Sequence, residues 1–206
     1  MSPISAKVFG VNRHRMAIDG KGVTTLVGFL GCPLRCKYCI NSQCYSPGNR
    51  FPDYTVDKLI DEISIDNLYF LATGGGVTFG GGEPLLQSGF IREFRDKCPE
   101  GWNICIETSL NVPQKNVEDV AEFISEWIID IKDINHEIYE RYTGKDNSQV
   151  ISNLRWIASH HDIRERVTIR LPQIHDFNTP EDILHSESLL RQMGFTKFDK
   201  FKYKFT

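Results

Sequence analysis

The chain has 206 residues, 40% of them hydrophobic and 25% charged, with a formal net charge of -3. That is the balance of a soluble globular protein with one sizeable core and no basic surface, so a dedicated nucleic-acid binder is excluded. No apolar run reaches the roughly 18 residues a bilayer span needs, and MSPISAKVFGVNRHRM carries no apolar leader, which predicts a cytoplasmic protein without membrane contact.

The first predicted strand is VTTLVGFL (23–30), and it runs straight into GCPLRCKYCINSQC (31–44). Four of the six cysteines, Cys32, Cys36, Cys39 and Cys44, fall in this loop. Without a leader, such crowding fits metal binding in a reducing compartment better than disulfides. Cys32, Cys36 and Cys39 follow C-x3-C-x2-C. Three thiolates can hold three irons of a [4Fe-4S] cluster and leave the fourth iron open to another ligand. A zinc knuckle would need a second half-site, and Cys98 and Cys105 stand alone. Cys44 would close a four-thiolate site of the kind an electron carrier uses, and that alternative stays open here.

Further along, helical periodicity marks TVDKLIDEI (55–63), PLLQSGFIREFRDKC (84–98), NVEDVAEFISE (116–126), SQVISNLRWIASHH (148–161) and TPEDILHSESLLRQM (179–193). Between them GVTF (76–79), WNICIE (102–107), WIIDIK (127–132), RVTIRL (166–171) and KFDKFKYKF (197–205) read as strands. Thr55 with Asp57, Asn116 with Glu118, and Thr179 with Pro180, Glu181 and Asp182 supply helix starts. This alternation predicts a parallel sheet of six β-α units in one domain, residues 1–206, the last unit without its helix. In such sheets functional groups gather at the C-terminal ends of the strands.

The strand ends are where polar residues appear. GVTF runs into Gly80, Gly81, Gly82, Glu83 and Pro84, a tight turn with Pro84 placed to open a helix. WNICIE ends at Glu107, followed by Thr108 and Ser109, and IIDIKD contains Asp130 and Lys132. A carboxylate in an apolar strand is costly unless paired, and an Asp130–Lys132 surface ion pair is the plain account. His136, His160, His161 and His185 fall in or beside predicted helices, where solvated or capping roles suffice. The alternating KFKYKF tail reads as a half-exposed last strand.

C-P-L-R-C-K-Y-C resembles the cluster motif of radical S-adenosylmethionine (SAM) enzymes, whose open iron is chelated by SAM, and G-G-E-P resembles their SAM amino-group segment. The order VTF-GGGEPLLQ, ETS, DIKD, IRLP is similar to that of the glycyl-radical-enzyme activating subgroup, such as pyruvate formate-lyase activating enzyme. IDGKG (18–22) and YTGKDNSQVISNLRWI (142–157) extend the likeness over nearly the whole chain. The resemblance implies a partial (β/α)6 radical SAM barrel of α/β class, with Cys32, Cys36 and Cys39 on a [4Fe-4S] cluster. It implies SAM contacts from Tyr38, Ile40, Gly81, Gly82, Glu83, Glu107, Thr108, Asp130, Lys132 and Arg170, with a monovalent cation beside SAM in some members. It further implies reductive cleavage of SAM to a 5′-deoxyadenosyl radical, flavodoxin or ferredoxin as reductant, and a glycyl radical enzyme as protein substrate. A compact enzyme like 7-carboxy-7-deazaguanine synthase, acting on a peptide or small molecule, is the alternative. The chain departs from the family where T-N-G becomes Thr108, Ser109, Leu110 and where a proline-glycine becomes His175 and Asp176. It also has no histidine in its last strand.

Overall fold

The computed structural model describes residues 3–16, 18–47 and 50–203. Within them an 8-stranded mixed sheet has the order β3-β1-β2-β4-β5-β6-β7-β8. Its parallel part is β2 (Val23–Phe29), β4 (Gly76–Gly81), β5 (Asn103–Thr108), β6 (Glu126–Asp130), β7 (Val167–Gln173) and β8 (Lys197–Lys202). All six are strands the sequence predicts, so the expected open parallel barrel is present. Residues 204–205 of the predicted last strand lie outside the described residues.

Two strands went unpredicted. Strand β1 (Ser5–Met16) pairs antiparallel with β2, and the short β3 (Asp53–Thr55) pairs antiparallel with β1. The polar run Asn12 to Arg15 hides β1 from a hydrophobic-pattern reading. Part of that run is satisfied at its far end, where Arg13 Nε and Nη2 donate to the buried Asp66 carboxylate at 2.6 and 2.5 Å.

The helices are α1 (Val56–Ile63), α2 (Asn67–Thr73), α3 (Ser88–Lys97), α4 (Gln114–Ala121), α5 (His136–Thr143), α6 (Ser148–Ser159), α7 (His161–Arg164) and α8 (Pro180–Gln192). Thr55 caps α1 by accepting from the Lys58 N–H, and Thr179 with Asp182 forms a capping box on α8. Asn116 is not a cap. Helix α4 starts earlier, at Gln114 after Pro113, and the Asn116 amide donates to the Leu85 carbonyl instead. Proline's fixed φ and the absence of an apolar residue at Gln114 or Lys115 explain the offset start.

Strand alternation divides the sheet into two faces. Val27 and Phe29, Val77 and Phe79, Ile104 and Ile106, Trp127 and Ile129, and Val167 and Ile169 are all buried in the main apolar core. Aromatic rings knit this layer: Phe29 stacks on Phe79 at 5.4 Å, and Phe79 meets Phe94 edge-on at 5.1 Å. The intervening positions, Glu107, Ile128, Asp130, Arg170 and Asp199, line the concave side. Asp130, Arg170 and Asp199 are register partners across β6, β7 and β8, so they form one polar row. Among the described residues no helix is long and apolar enough to cross a membrane.

Candidate cluster and SAM site

The loop after β2 is fastened at both ends. The Gly31 N–H donates to the Cys44 carbonyl at 3.0 Å, which closes the loop on itself. On the far side the Arg35 and Lys37 N–H groups donate to the Thr143 and Tyr142 carbonyls at 2.8 and 3.1 Å. Those carbonyls are the acceptors that the C-terminal end of α5 would otherwise leave unpaired. Arg35 Nη1 adds bonds to the Cys32 and Leu34 carbonyls, and its guanidinium lies 4.3 Å from the centre of the Tyr45 ring.

This loop forms one wall of a cavity of about 540 Å³ at the C-terminal ends of the strands, with Cys32, Cys36, Cys39 and Cys44 all on it. Burial pushes the Cys32 thiol up to about 12 and the Cys36 thiol up to about 11, the second despite the nearby Lys132 ammonium. Burial also raises Cys44 to about 11, with Cys39 beside it. Such thiols bind metal as thiolates, releasing their protons to solvent as the metal enters. Among the described residues no three His, Cys, Asp or Glu side chains converge on a point suited to a single ion. Three thiolates on one wall can each hold one iron of a cluster.

The facing wall begins with the glycine turn. At Gly81 φ is +90°, and an added Cβ would lie 2.7 Å from both the Gly28 Cα and the Phe9 ring. At Gly82 an added Cβ would lie 2.1 Å from the Gly31 carbonyl oxygen. The glycines therefore let the turn pack against β2 and the start of the cysteine loop. Backbone bonds secure that contact, Gly82 N–H to the Phe29 carbonyl at 3.0 Å and Glu83 N–H to the Gly31 carbonyl at 2.8 Å.

Glu83 differs from the expectation of a ligand contact. Its side chain is completely buried and outside the cavity lining. Oε1 accepts from the Thr108 hydroxyl at 2.6 Å and the Leu85 N–H at 3.2 Å, while Oε2 accepts from the Ser109 hydroxyl and N–H at 2.7 and 2.9 Å. Burial raises its pKa against those four donors. Glu83 thus clamps the end of β4 to the end of β5. Pro84 opens a short 3-10 turn, Pro84–Gln87, ahead of α3.

Beyond the turn, Glu107, Thr108, Asp130, Lys132 and Arg170 all line the cavity, as does Ile40. The Asp130–Lys132 pair is present at 2.5 Å but it is not a surface pair, since the Lys132 side chain is only 8% exposed. Burial disfavours the Lys132 ammonium, yet the Asp130 carboxylate outweighs it and holds the pKa well above the lysine range. Arg170 Nη1 meets Glu107 Oε1 at 2.5 Å, and burial still leaves the Glu107 pKa raised. Asp130 Oδ1 is buried without a hydrogen-bond partner. It is the acceptor that a cation or ammonium group in the cavity would meet.

Tyr38 is not brought to the cavity lining. Its ring packs against Tyr142 and Phe177, at 6.2 and 5.7 Å between centroids. A ring one residue before Cys39 turns to the aromatic cluster that α5 supplies. The sequence reading also passed over Asn41, Tyr45, Asp199, Phe201 and Tyr203, which share the lining. It placed His136 in a helix without delimiting α5, although Asn135 and Gly144 flank that helix as its cap residues.

Residues 26–186 match the model of the radical SAM superfamily. The chain is 32% identical to the pyruvate formate-lyase-activating enzyme of Staphylococcus aureus over 174 residues, covering 81% of this chain and 68% of that protein. It is 27% identical to the (2S)-3-sulfopropanediol dehydratase activating enzyme of Klebsiella oxytoca, covering 91% of this chain and 78% of that one. Among solved structures, Streptococcus suis SuiB bound to its precursor peptide SuiA superposes with a TM-score of 0.66 at 14% identity, over 87% of this chain and 38% of SuiB. Escherichia coli QueE gives a TM-score of 0.53 at 11% identity, over 95% of this chain and 93% of that one. These two likenesses are of fold. With the family model spanning most of the sequence, the chain belongs to the radical SAM superfamily, whose cofactors are a [4Fe-4S] cluster and SAM.

Proposed function

We propose that the chain uses its cluster and SAM to install a glycyl radical on a partner enzyme. The observation that carries this reading is one cavity with cysteine thiols on one wall and the glycine turn, Glu107, Thr108, Asp130, Lys132 and Arg170 on the other. When bound, the cluster supplies one electron to the SAM sulfonium, and cleavage gives methionine and a 5′-deoxyadenosyl radical that takes hydrogen from the substrate. In this reading Cys32, Cys36 and Cys39 hold the cluster, and the backbone at Gly81 and Gly82 takes the methionyl end of SAM. Lys132, paired with Asp130 and lining the cavity, is the candidate partner for the SAM carboxylate, and Arg170 holds Glu107 in place. Asp130 Oδ1 is the candidate ligand for a SAM ammonium group or for a monovalent cation. Ile40 offers an apolar contact for adenine. The partner class follows the names of the two activating-enzyme relatives. Flavodoxin or ferredoxin as electron donor and an anaerobic, reducing cytoplasm complete the reading.

The test is anaerobic reconstitution with iron and sulfide, then incubation with SAM, dithionite and candidate glycyl radical enzymes. The expected result is 5′-deoxyadenosine formation and a glycyl electron-spin signal on the partner. Cys36→Ala should lose iron and make no 5′-deoxyadenosine. A modified small molecule with no protein radical would replace the activase by a synthase of the 7-carboxy-7-deazaguanine type. A cluster whose spectrum ignores SAM and is lost in Cys44→Ser would replace both by an electron carrier.

A further inference from the structure

The segment that follows Cys39 has its own tie to the glycine turn. Asn41 Nδ2 donates to the Gly81 carbonyl at 2.9 Å, and both residues line the cavity. At its other end Asn41 is fixed by its backbone, whose carbonyl accepts from the Cys44 N–H at 2.9 Å. Gly81 has no freedom to follow a moving loop, because it is backed by the Gly28 Cα and the Phe9 ring at distances that would exclude even a Cβ. Other described ties of the loop enter at Gly31 ahead of the first cysteine, through Arg35 and Lys37 to the end of α5, and through the Tyr38 ring to Tyr142 and Phe177; of these contacts, the Asn41 bond reaches the glycine turn from beyond Cys39. Asn41 is thus a side-chain strut that sets how far the Cys39 end of the loop stands from the turn.

We propose that Asn41 is a positioning residue for SAM: it fixes the spacing between the cysteine loop and the Gly81–Gly82 turn, and so the alignment of SAM against the cluster. The proposal rests on the reading that SAM lies at that turn. Its physical basis is pre-organisation: a ligand held between two walls binds well only when their spacing is already set, and a changed spacing costs affinity. The role needs a donor of asparagine's length. In Asn41→Ala the Gly81 carbonyl loses its partner, and in Asn41→Asp two oxygens face each other across the same gap. Asn41→Gln keeps the donor on a longer arm.

The experiment uses the reconstituted holoprotein, with iron and sulfide counted per chain and the reduced cluster followed by electron-spin resonance as SAM is added. Asn41→Ala and Asn41→Asp should bind iron as the parent does. Their half-saturating SAM concentration should rise about tenfold or more, with KM for SAM rising more than kcat falls, and Asn41→Gln should recover part of the loss. A half-saturating concentration unchanged within twofold in both variants would overturn the proposal. Loss of iron in both would overturn it too, since Asn41 would then be shaping the loop itself. If the parent's own signal ignores SAM, the SAM site reading fails, and the strut with it.

Discussion

At the residue scale, Glu83 shows how a site can be served by a side chain that never reaches it. Its four accepted hydrogen bonds join two strand ends in a place sealed from water. Glu83→Gln turns one carboxylate oxygen into an amide that must face an existing donor, and a buried group left unsatisfied costs about 1–3 kcal/mol. The expected outcome is a lower melting temperature, by roughly 2–4 °C for each kcal/mol in a chain of this size, read by calorimetry on the reconstituted protein. The residues that depart from the family pattern are informative in the same way. Leu110 stands where the resemblance expects glycine, and it keeps a left-handed φ of +60°. Asp176 stands at the other lost glycine, with φ +65°. Such angles cost a non-glycine residue roughly 1–2 kcal/mol. At Leu110 the conformation is held by its N–H donating to the Thr108 hydroxyl and its carbonyl accepting from the buried Asn153 amide.

At the scale of elements, the cysteine spacing, the glycine turn and the six parallel strands were legible because each carries a local signal: a metal-ligand pattern, a φ requirement, an apolar run. What was not legible depends on distant partners. Strand β1 carries Arg13 and His14 because both answer to Asp66, more than fifty positions away. Tyr38 could not be oriented from sequence, since its ring follows Tyr142 and Phe177. The Asp66 junction yields a pH prediction. Hydrogen bonding and charge from Arg13, with His14 adding to it, hold the Asp66 carboxyl below the ordinary aspartate range. A carboxylate with a lowered folded pKa stabilises the fold above its unfolded pKa and loses that contribution as pH falls through the folded value. Asp66→Asn should therefore lower the melting temperature at pH 7, and the gap from the parent should narrow as the pH is taken below the ordinary aspartate pKa. An equal gap at both ends of a pH series of melts would contradict this assignment.

At the scale of the whole molecule, the sheet stays open because β3 and β8 end it and do not pair with each other. Arg170 on β7 ties distant parts of the open sheet together, reaching Glu107 on β5, Asp199 on β8 and the Ile18 carbonyl of the loop before β2. The strand order also bears on how the chain is made. Strand β2 lies beside β1, β3 joins the outer edge of β1, β4 the outer edge of β2, and each later strand lands beside the one before it. No strand has to be inserted between two already in place. The sheet can therefore grow by edge addition alone as the polypeptide leaves the ribosome, beginning with the local antiparallel β1–β2 pair, whose loop-closure cost is small. Nascent chains halted after successive strands should gain protease resistance stepwise, in chain order. Resistance that appears only once β8 has emerged would show that the last strand is needed to make the others hold.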